Sequence, residues 1–429
     1  MKKLFSILLA GFMPFFVYAQ AGHIMQGIGA HNMSMGGAAT AQPLDISGAL
    51  HWNPASISAF DKKIFSANAG FFFSSPELSS TVPTPGGPMS GTTKDDRGVS
   101  VMPALAMVWG KKDSKHTLGV SAFGISGFGV TFPESSSNPI NMPQTMGGFG
   151  KLLSDYQLMQ VGVTYAYKLN PQFSIGVAPT FNYSALKLEP NPLASPSPTK
   201  GYPVSERASA LGFGGQVGLF YNSGKGIKLG VSYKTQQSFK EFKFKSKYLD
   251  GSTAPEVKFK MNYPAILSFG AGYSNDMIDI AADYRFVNYE KTDGFEAKGW
   301  TSTASVKGFG WKNMSVISAG IQYKGIKKLP LRVGYTYSGC PIESQLAFFS
   351  TPATAIIKNA FQFGFGYEAS KHVTLNAVYH HGSSGDGISG PLLSPMMVSA
   401  SNPYGAVPSS SVSYKMTTDL IMFGINYTF

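Results

Sequence analysis

Residues 173–183 read Phe-Ser-Ile-Gly-Val-Ala-Pro-Thr-Phe-Asn-Tyr, and the period of that stretch decides the fold. Phe173, Ile175, Val177, Phe181 and Tyr183 share one parity, while Ser174, Gly176, Ala178, Thr180 and Asn182 share the other. Successive side chains of a strand point to opposite faces, so this segment is a strand with one apolar face and one small or polar face. The pattern recurs along the chain. Leu211, Phe213, Val217 and Leu219 alternate with Gly212, Gly214, Gln216 and Gly218. Ile278, Ile280, Tyr284 and Phe286 alternate with Asp279, Asp283 and Arg285. Phe361, Phe363, Phe365 and Tyr367 alternate with Gln362, Gly364, Gly366 and Glu368.

A soluble sandwich also alternates, but its strands run about five or six residues. Here candidate strands fall near 63–75, 99–109, 117–131, 155–168, 172–185, 210–221, 226–240, 257–273, 277–290, 311–324, 329–339, 357–369, 371–381 and 412–429, fourteen in all. Every second link is short, as at Leu169–Pro171, Ser274–Asp276 and the single Ser370. The others, such as Pro76–Gly98, Phe132–Ser154 and Gly382–Ser411, are long and rich in Pro, Ser and Gly. Short turns at one end and long loops at the other are the arrangement of an outer-membrane barrel.

Composition agrees. Charged residues make up 14% of the 429 and aromatics 13%, with 49 glycines, whereas about a quarter of a soluble domain is charged. Residues 1–19 carry Lys2 and Lys3, an apolar run from Leu4 to Val17, and Val17-Tyr18-Ala19 before Gln20, the order of a secretory signal peptide. Without Lys2 and Lys3 the formal charge falls from +12 to +10. No dense basic run interleaves with aromatics, so nucleic acid is not an expected partner. Cys340 is the only cysteine, which excludes an intrachain disulfide and a cysteine zinc site. After residue 19 no apolar run reaches the ~18 residues of a spanning helix. A closed barrel, in which each backbone group pairs with a neighbouring strand, is the remaining way through a bilayer.

Residues 20–60 read differently from the rest. Gly22, Gly27, Gly29, Gly36, Gly37 and Gly48 interrupt any helix or strand, Met25, Ile28 and Met33 are apolar without period, and Asn53-Pro54-Ala55 is a turn signal. The low charge argues against a solvated tail, so this segment is expected as an N-terminal plug, or hatch, inside a barrel formed by residues 61–429. Asn53, Pro54 and Ala55 are read as the motif that fixes the hatch. Asp279, Asp283 and Arg285 point into the lumen on this parity and are expected to anchor it, since unpaired buried charges are costly. In the third strand Leu118, Val120 and Ala122 hold one parity while Phe123 and Ile125 fall on the other, among Gly119, Gly124, Gly127 and Gly129. Such a flip among glycines is read as a bulge or kink, and either close packing on the plug or a gap in the wall would produce it. The chain ends Ile421, Phe423, Ile425, Tyr427, Phe429, a spacing that resembles the signal by which outer-membrane barrels are handed to the barrel assembly machinery.

Met35-Gly36-Gly37-Ala38, Asn53-Pro54-Ala55 with Phe60-Asp61, Asn262-Tyr263-Pro264-Ala265 and Tyr379-His380-His381-Gly382 resemble stretches of the FadL family of outer-membrane long-chain fatty acid and hydrocarbon transporters, over essentially the whole mature chain. The resemblance implies fourteen strands, a hatch in the lumen and a third strand that opens sideways. It also implies an outer capture groove on the link from Leu186 to Ser209, which here is short and Pro-rich, and contacts to a carboxylate at positions similar to Lys187 and Lys312.

The function expected is transport of a hydrophobic small molecule by a monomeric barrel. Loops facing the lipopolysaccharide collect it, a lumenal pocket holds it, and it leaves sideways at the kink formed by Phe123, Gly124, Gly127 and Gly129. Pocket candidates are Met25, Ile28, Met33, Phe72, Met102, Phe123, Ile125, Phe220 and Ile266, each of which could instead simply fill space. No cofactor, metal or catalytic group is expected. His380-His381 near Asp386 has nothing to orient it as a catalytic set, and Gly212-Phe213-Gly214-Gly215 lies within a strand, not before a helix. The alternative, from another class, is a surface adhesin or receptor that uses the long loops.

Overall fold

The computed structural model describes residues 22–429, so the expected signal peptide and hatch residues 20–21 lie outside the described residues. Fourteen antiparallel strands form the wall: β1 (Lys63–Val82), β2 (Val99–Trp109), β3 (His116–Phe132), β4 (Leu152–Lys168), β5 (Phe173–Glu189), β6 (Ala208–Asn222), β7 (Ile227–Lys234), β8 (Ala265–Ser274), β9 (Ile278–Asn288), β10 (Met314–Tyr323), β11 (Leu331–Ser338), β12 (Asn359–Glu368), β13 (Val373–Ser383) and β14 (Ser411–Thr428). Each pairs with the next. β14 returns to β1, from Thr428 opposite Ile64 to Ser411 opposite Thr81, and closes the barrel.

Alternation sets which way each side chain faces. Phe181 and Phe213 are 66% and 68% exposed, while Thr180 and Asn182 beside Phe181 are buried. An apolar outer face around a polar interior inverts the soluble arrangement and fits a barrel surrounded by lipid. Among the described residues no helix is long and apolar enough to cross a membrane.

Strand limits differ from the sequence expectation in two places. β1 runs on to Val82 and pairs there with Met89–Lys94, so much of the expected Pro76–Gly98 loop is a hairpin. The chain from 240 to 260 leaves the wall: Phe242–Lys247 pairs with Thr253–Phe259 as a separate hairpin, and β8 begins only at Ala265. Both stretches alternate, and alternation reports a two-faced sheet without saying whether lipid covers it.

The leading segment fills the bore. Helix α1 (Ala30–Ser34) is fully buried, and α2 (Ile46–Trp52) starts at Asp45, whose carboxylate accepts from Ser47 N–H at 2.9 Å and Gly48 N–H at 3.2 Å. Such an N-cap satisfies donors that have no partner in the first turn. A 3₁₀ turn (Pro54–Ala59) follows, capped by Asn53 accepting from Ala55 N–H, with Pro54 at the position where no N–H is needed. At Gly36, with φ 68°, a side chain would collide with the Ala319 and Tyr335 carbonyls, so the plug backbone lies directly on β10 and β11.

Candidate functional site

The plug is bolted to one side of the barrel by a buried ion pair. Asp283 Oδ2 accepts from Ala39 N–H at 2.9 Å, Thr40 N–H at 3.0 Å and Thr40 Oγ1 at 2.8 Å. Arg285 donates to Asp283 at 2.7 Å and to Gly37 O at 2.5 Å, and its guanidinium lies 3.6 Å from the centre of the Trp52 ring. Two buried charges are tolerable here because each finds several partners. Asp279, expected to share this anchor, instead accepts from Gln322 at 2.7 Å and pairs with Lys324 at 3.1 Å, apart from the plug. Asn53 adds a neutral tie, donating to Thr40 O at 2.7 Å and to Leu219 O on β6 at 3.0 Å.

On the other side the wall is incomplete. β2 and β3 pair from Trp109 opposite Leu118 to Ala104 opposite Phe123, and there the ladder stops. β2 goes on to Val99 paired only with β1, and β3 goes on to Phe132 paired only with β4. The edges meet again where Asp96 N–H donates to Thr131 O at 2.8 Å and Thr131 N–H to Asp95 Oδ1 at 2.5 Å. Between these closures the β2 edge runs unpaired from Arg97 to Pro103, which at about 3.3 Å per residue makes a window about 20 Å tall.

The cause lies in β3. Gly124 faces Met159 and Ser126 faces Leu158, leaving Ile125 as an extra residue without a partner on β4. One inserted residue exchanges the faces and bends the strand inward. The plug receives it: Ile24 bridges Ser126, Met25 N–H donates to Ile125 O at 3.1 Å, Gly127 N–H to His23 O at 3.3 Å, and Ser126 Oγ to His23 O at 2.9 Å. Residues 23–25 therefore supply partners that β2 does not.

A cavity of about 680 Å³ lies behind the window. Its inner lining includes Met25, Phe72, Met102, Phe128, Tyr156 and Leu158, and its outer lining includes Val101 and Met159, which are 62% and 37% exposed on the lipid-facing side. The bore and the outer surface thus share one space. Arg97 stands at its rim, pairing with Asp155 at 2.8 Å, and Asp155 also binds Arg207. A side chain at Gly129 would displace the Arg97 guanidinium.

Of the residues expected in a pocket, Met25, Phe72 and Met102 line this cavity, and Met33 packs beside them. Gly124, Gly127 and Gly129 of the kink also line it. Phe123, Ile125, Ile28 and Ile266 lie in the main buried core, and Phe220 is buried on β6, all outside the cavity lining. Lys187 pairs with Glu189 at 3.5 Å, and Lys312 is exposed; neither borders the cavity.

Sequence reasoning missed His23, Arg97, Asp155, Phe128 and Tyr156. His23 is enclosed by aromatic rings, with Phe295 stacked at 4.8 Å and Trp311, Tyr289 and Tyr263 within 6 Å, and its Nδ1 lies 2.8 Å from Tyr289 Oη. Burial pushes its pKa down to about 3, so the ring is neutral. Those rings come from distant parts of the chain and leave no local spacing to find. The Asp95-Asp96-Arg97 triplet in a chain of low charge was a usable signal.

A family model described as outer membrane protein transport protein (OMPP1/FadL/TodX) matches residues 18–387. No curated protein matches the chain. Among solved structures the chain is similar to the P. putida toluene transporter TodX, with 18% identity over 94% of this chain and 99% of that one and a TM-score of 0.67. It is similar also to a Pseudomonas aeruginosa FadL homologue, with 14% identity, coverage of 95% and 99%, and a TM-score of 0.70. The Ralstonia pickettii toluene transporter TbuX gives 16%, 94%, 99% and 0.62. At these identities what is shared is the fold, a fourteen-stranded barrel of the outer membrane.

Proposed function

The chain belongs to the OMPP1/FadL/TodX family of outer membrane transport proteins, and from that premise we propose that it carries hydrophobic small molecules, long-chain fatty acids or hydrocarbons, from the loop side through the cavity and sideways into the membrane. The observation that carries this reading is the single space lined by Met102 and Phe72 within the bore and by Val101 and Met159 on the lipid side. Each CH₂ kept out of water retains about 0.8 kcal/mol, so a path that offers apolar side chains from the bore to the lipid side lowers the main barrier for such a solute. Its volume lies within the usual range for small-molecule sites, roughly 300–1,000 Å³.

In this reading residues 20–60 act as the hatch within a wall of residues 61–429. The stretch around His23 to Met25 is the part that shifts, giving up three hydrogen bonds to β3 together with the Tyr289 bond and the aromatic packing of His23. The charges support an uncharged cargo. Arg97 is already paired with Asp155, His23 is neutral, and Lys187 and Lys312 stand elsewhere. Two similar structures are toluene transporters, which accords with a hydrocarbon as the better-fitting member of the two classes.

Blocking the window tests the proposal. A Cβ at Gly124 would meet nothing nearer than Pro103 at 3.8 Å, so Gly124→Leu should fold and project into the opening. Uptake of a labelled hydrophobic compound by cells should fall about tenfold, equivalent to ~1.4 kcal/mol of added barrier. Unaltered uptake through a correctly assembled Gly124→Leu barrel would reject the lateral path.

A further inference from the structure

Above the apolar belt on the β6 side, the wall is extended by a strip of lysines. Ser238–Phe239 pairs with Gly212–Phe213, Lys240 N–H donates to Leu211 O at 2.9 Å, and Glu206 N–H donates to Lys245 O at 2.8 Å. The chain from 238 to 247 therefore runs beside residues 204–213, held to the wall at 238–240 and beyond it in a small separate sheet with Val204–Ser205. Phe239, Phe242, Phe244 and Ser246 are buried, and Lys240, Lys243, Lys245 and Lys247 are exposed. Buried phenylalanines hold the lysines on one outward face.

That face has three properties of an anion site. Its charges are only partly compensated: Glu206 and Glu241 lie among them, yet no ion pair among the described residues engages Lys240, Lys243, Lys245 or Lys258, while Asp250 is taken by Lys200 at 2.9 Å and Asp293 by Lys260 at 2.7 Å. It contains a like-charge pair, because Lys243 stands directly opposite Lys258 across the hairpin, an arrangement that is destabilising unless an anion lies between the ammonium groups. It also borders a groove of about 780 Å³ in whose lining Arg207, Lys240, Lys243 and Lys245 outnumber the two carboxylates, Glu206 and Glu241.

Height selects the anion. Leu211 and Phe213 are 63% and 68% exposed and belong to the lipid-facing belt. Four residues further along the same strand, about 13 Å before tilt is counted, stands Arg207. Ammonium and guanidinium groups just beyond a greasy belt on the long-loop side lie level with the charged headgroups of the outer leaflet. We propose that the face formed by Lys240, Lys243, Lys245 and Lys258 binds the phosphate groups of the outer-leaflet glycolipid, lipopolysaccharide, with the groove above Leu211 receiving the adjoining sugar. Phosphate is matched here by charge-assisted hydrogen bonds from several donors at once.

The test uses the full-length barrel extracted in mild detergent from cells that make a minimal lipopolysaccharide, with bound glycolipid counted by native mass spectrometry. The variant K240Q/K243Q/K245Q should retain at least tenfold less glycolipid than the parent. K225Q/K327Q/K328Q, which removes the same charge from the short-turn end, should retain as much as the parent. Lipid A stripped of its phosphates, added to delipidated parent protein, should not bind, whereas intact lipid A should. Heat-dependent gel mobility confirms that each variant is folded. Undiminished glycolipid on K240Q/K243Q/K245Q, equal loss from the control variant, or equal binding of dephosphorylated lipid A would each overturn the proposal. None of these outcomes bears on transport, which is read separately by uptake.

Discussion

The two sides of the plug are held by different physics. Toward β9 it is fixed by Asp283 and Arg285, buried charges with several hydrogen bonds each and an aromatic ring stacked on the guanidinium. Toward β3 it is fixed by an isolated bridge at Ile24, three hydrogen bonds and apolar packing. Buried charges cannot be pulled apart cheaply, whereas backbone hydrogen bonds exchange partners for about 1 kcal/mol each. On the proposed route the contrast assigns the β9 side the part of a fixed bolt and the β3 side that of a latch.

The largest effect is expected at the bolt. Asp283→Ala leaves Arg285 buried with its main acceptor gone, which should cost about 3–5 kcal/mol. A lowered urea midpoint for the extracted barrel, together with leakage of small polar solutes, would register it. Stability within 1 kcal/mol of the parent would show that the bolt is not what holds the plug. Asn53→Ala comes next. It removes hydrogen bonds to Thr40 O and Leu219 O, and should cost about 1–3 kcal/mol by the same denaturation measurement. Loosening the latch is milder. Ser126→Ala deletes one hydrogen bond to His23 O and should lower stability by about 0.5–1.5 kcal/mol while raising the uptake rate of a hydrophobic solute. Slower uptake in that variant would contradict the latch. Lys312→Gln should change neither uptake nor stability measurably, because Lys312 is exposed and away from the cavity; a marked loss of fatty acid uptake would restore it as a carboxylate contact.

Much of the wall was legible because lipid reverses the usual burial and the strand period is two. Phe173 to Tyr183 and Leu211 to Leu219 stand in the structure on the face their parity assigns. The irregularity in β3 was legible too: Ile125 is an inserted residue, while Phe123 is regularly paired and turns inward, and the strand both packs on the plug and parts from β2. The hairpin at 242–259 was not foreseen: its first strand falls in the link expected between 240 and 257, and the expected wall strands 226–240 and 257–273 draw back to Lys234 and Ala265. The cavity was only partly legible. Phe72 and Met102 follow from apolar identity on the inward parity and Met25 from its place in the apolar hatch, but the parity rule also selected Phe220 and Ile266, which pack elsewhere. Parity names a face, and it cannot say which part of that face borders empty space.

Photoaffinity labelling tests the lateral path most directly. A small hydrocarbon bearing a diazirine, irradiated with the protein in outer-membrane vesicles, should leave adducts on Phe72, Met102 and Phe128 and on the window-edge residues Val101 and Met159. Adducts concentrated instead on the plug near Gln42 and Leu44, with Val101 and Met159 unlabelled, would contradict a sideways exit and place the route through the bore.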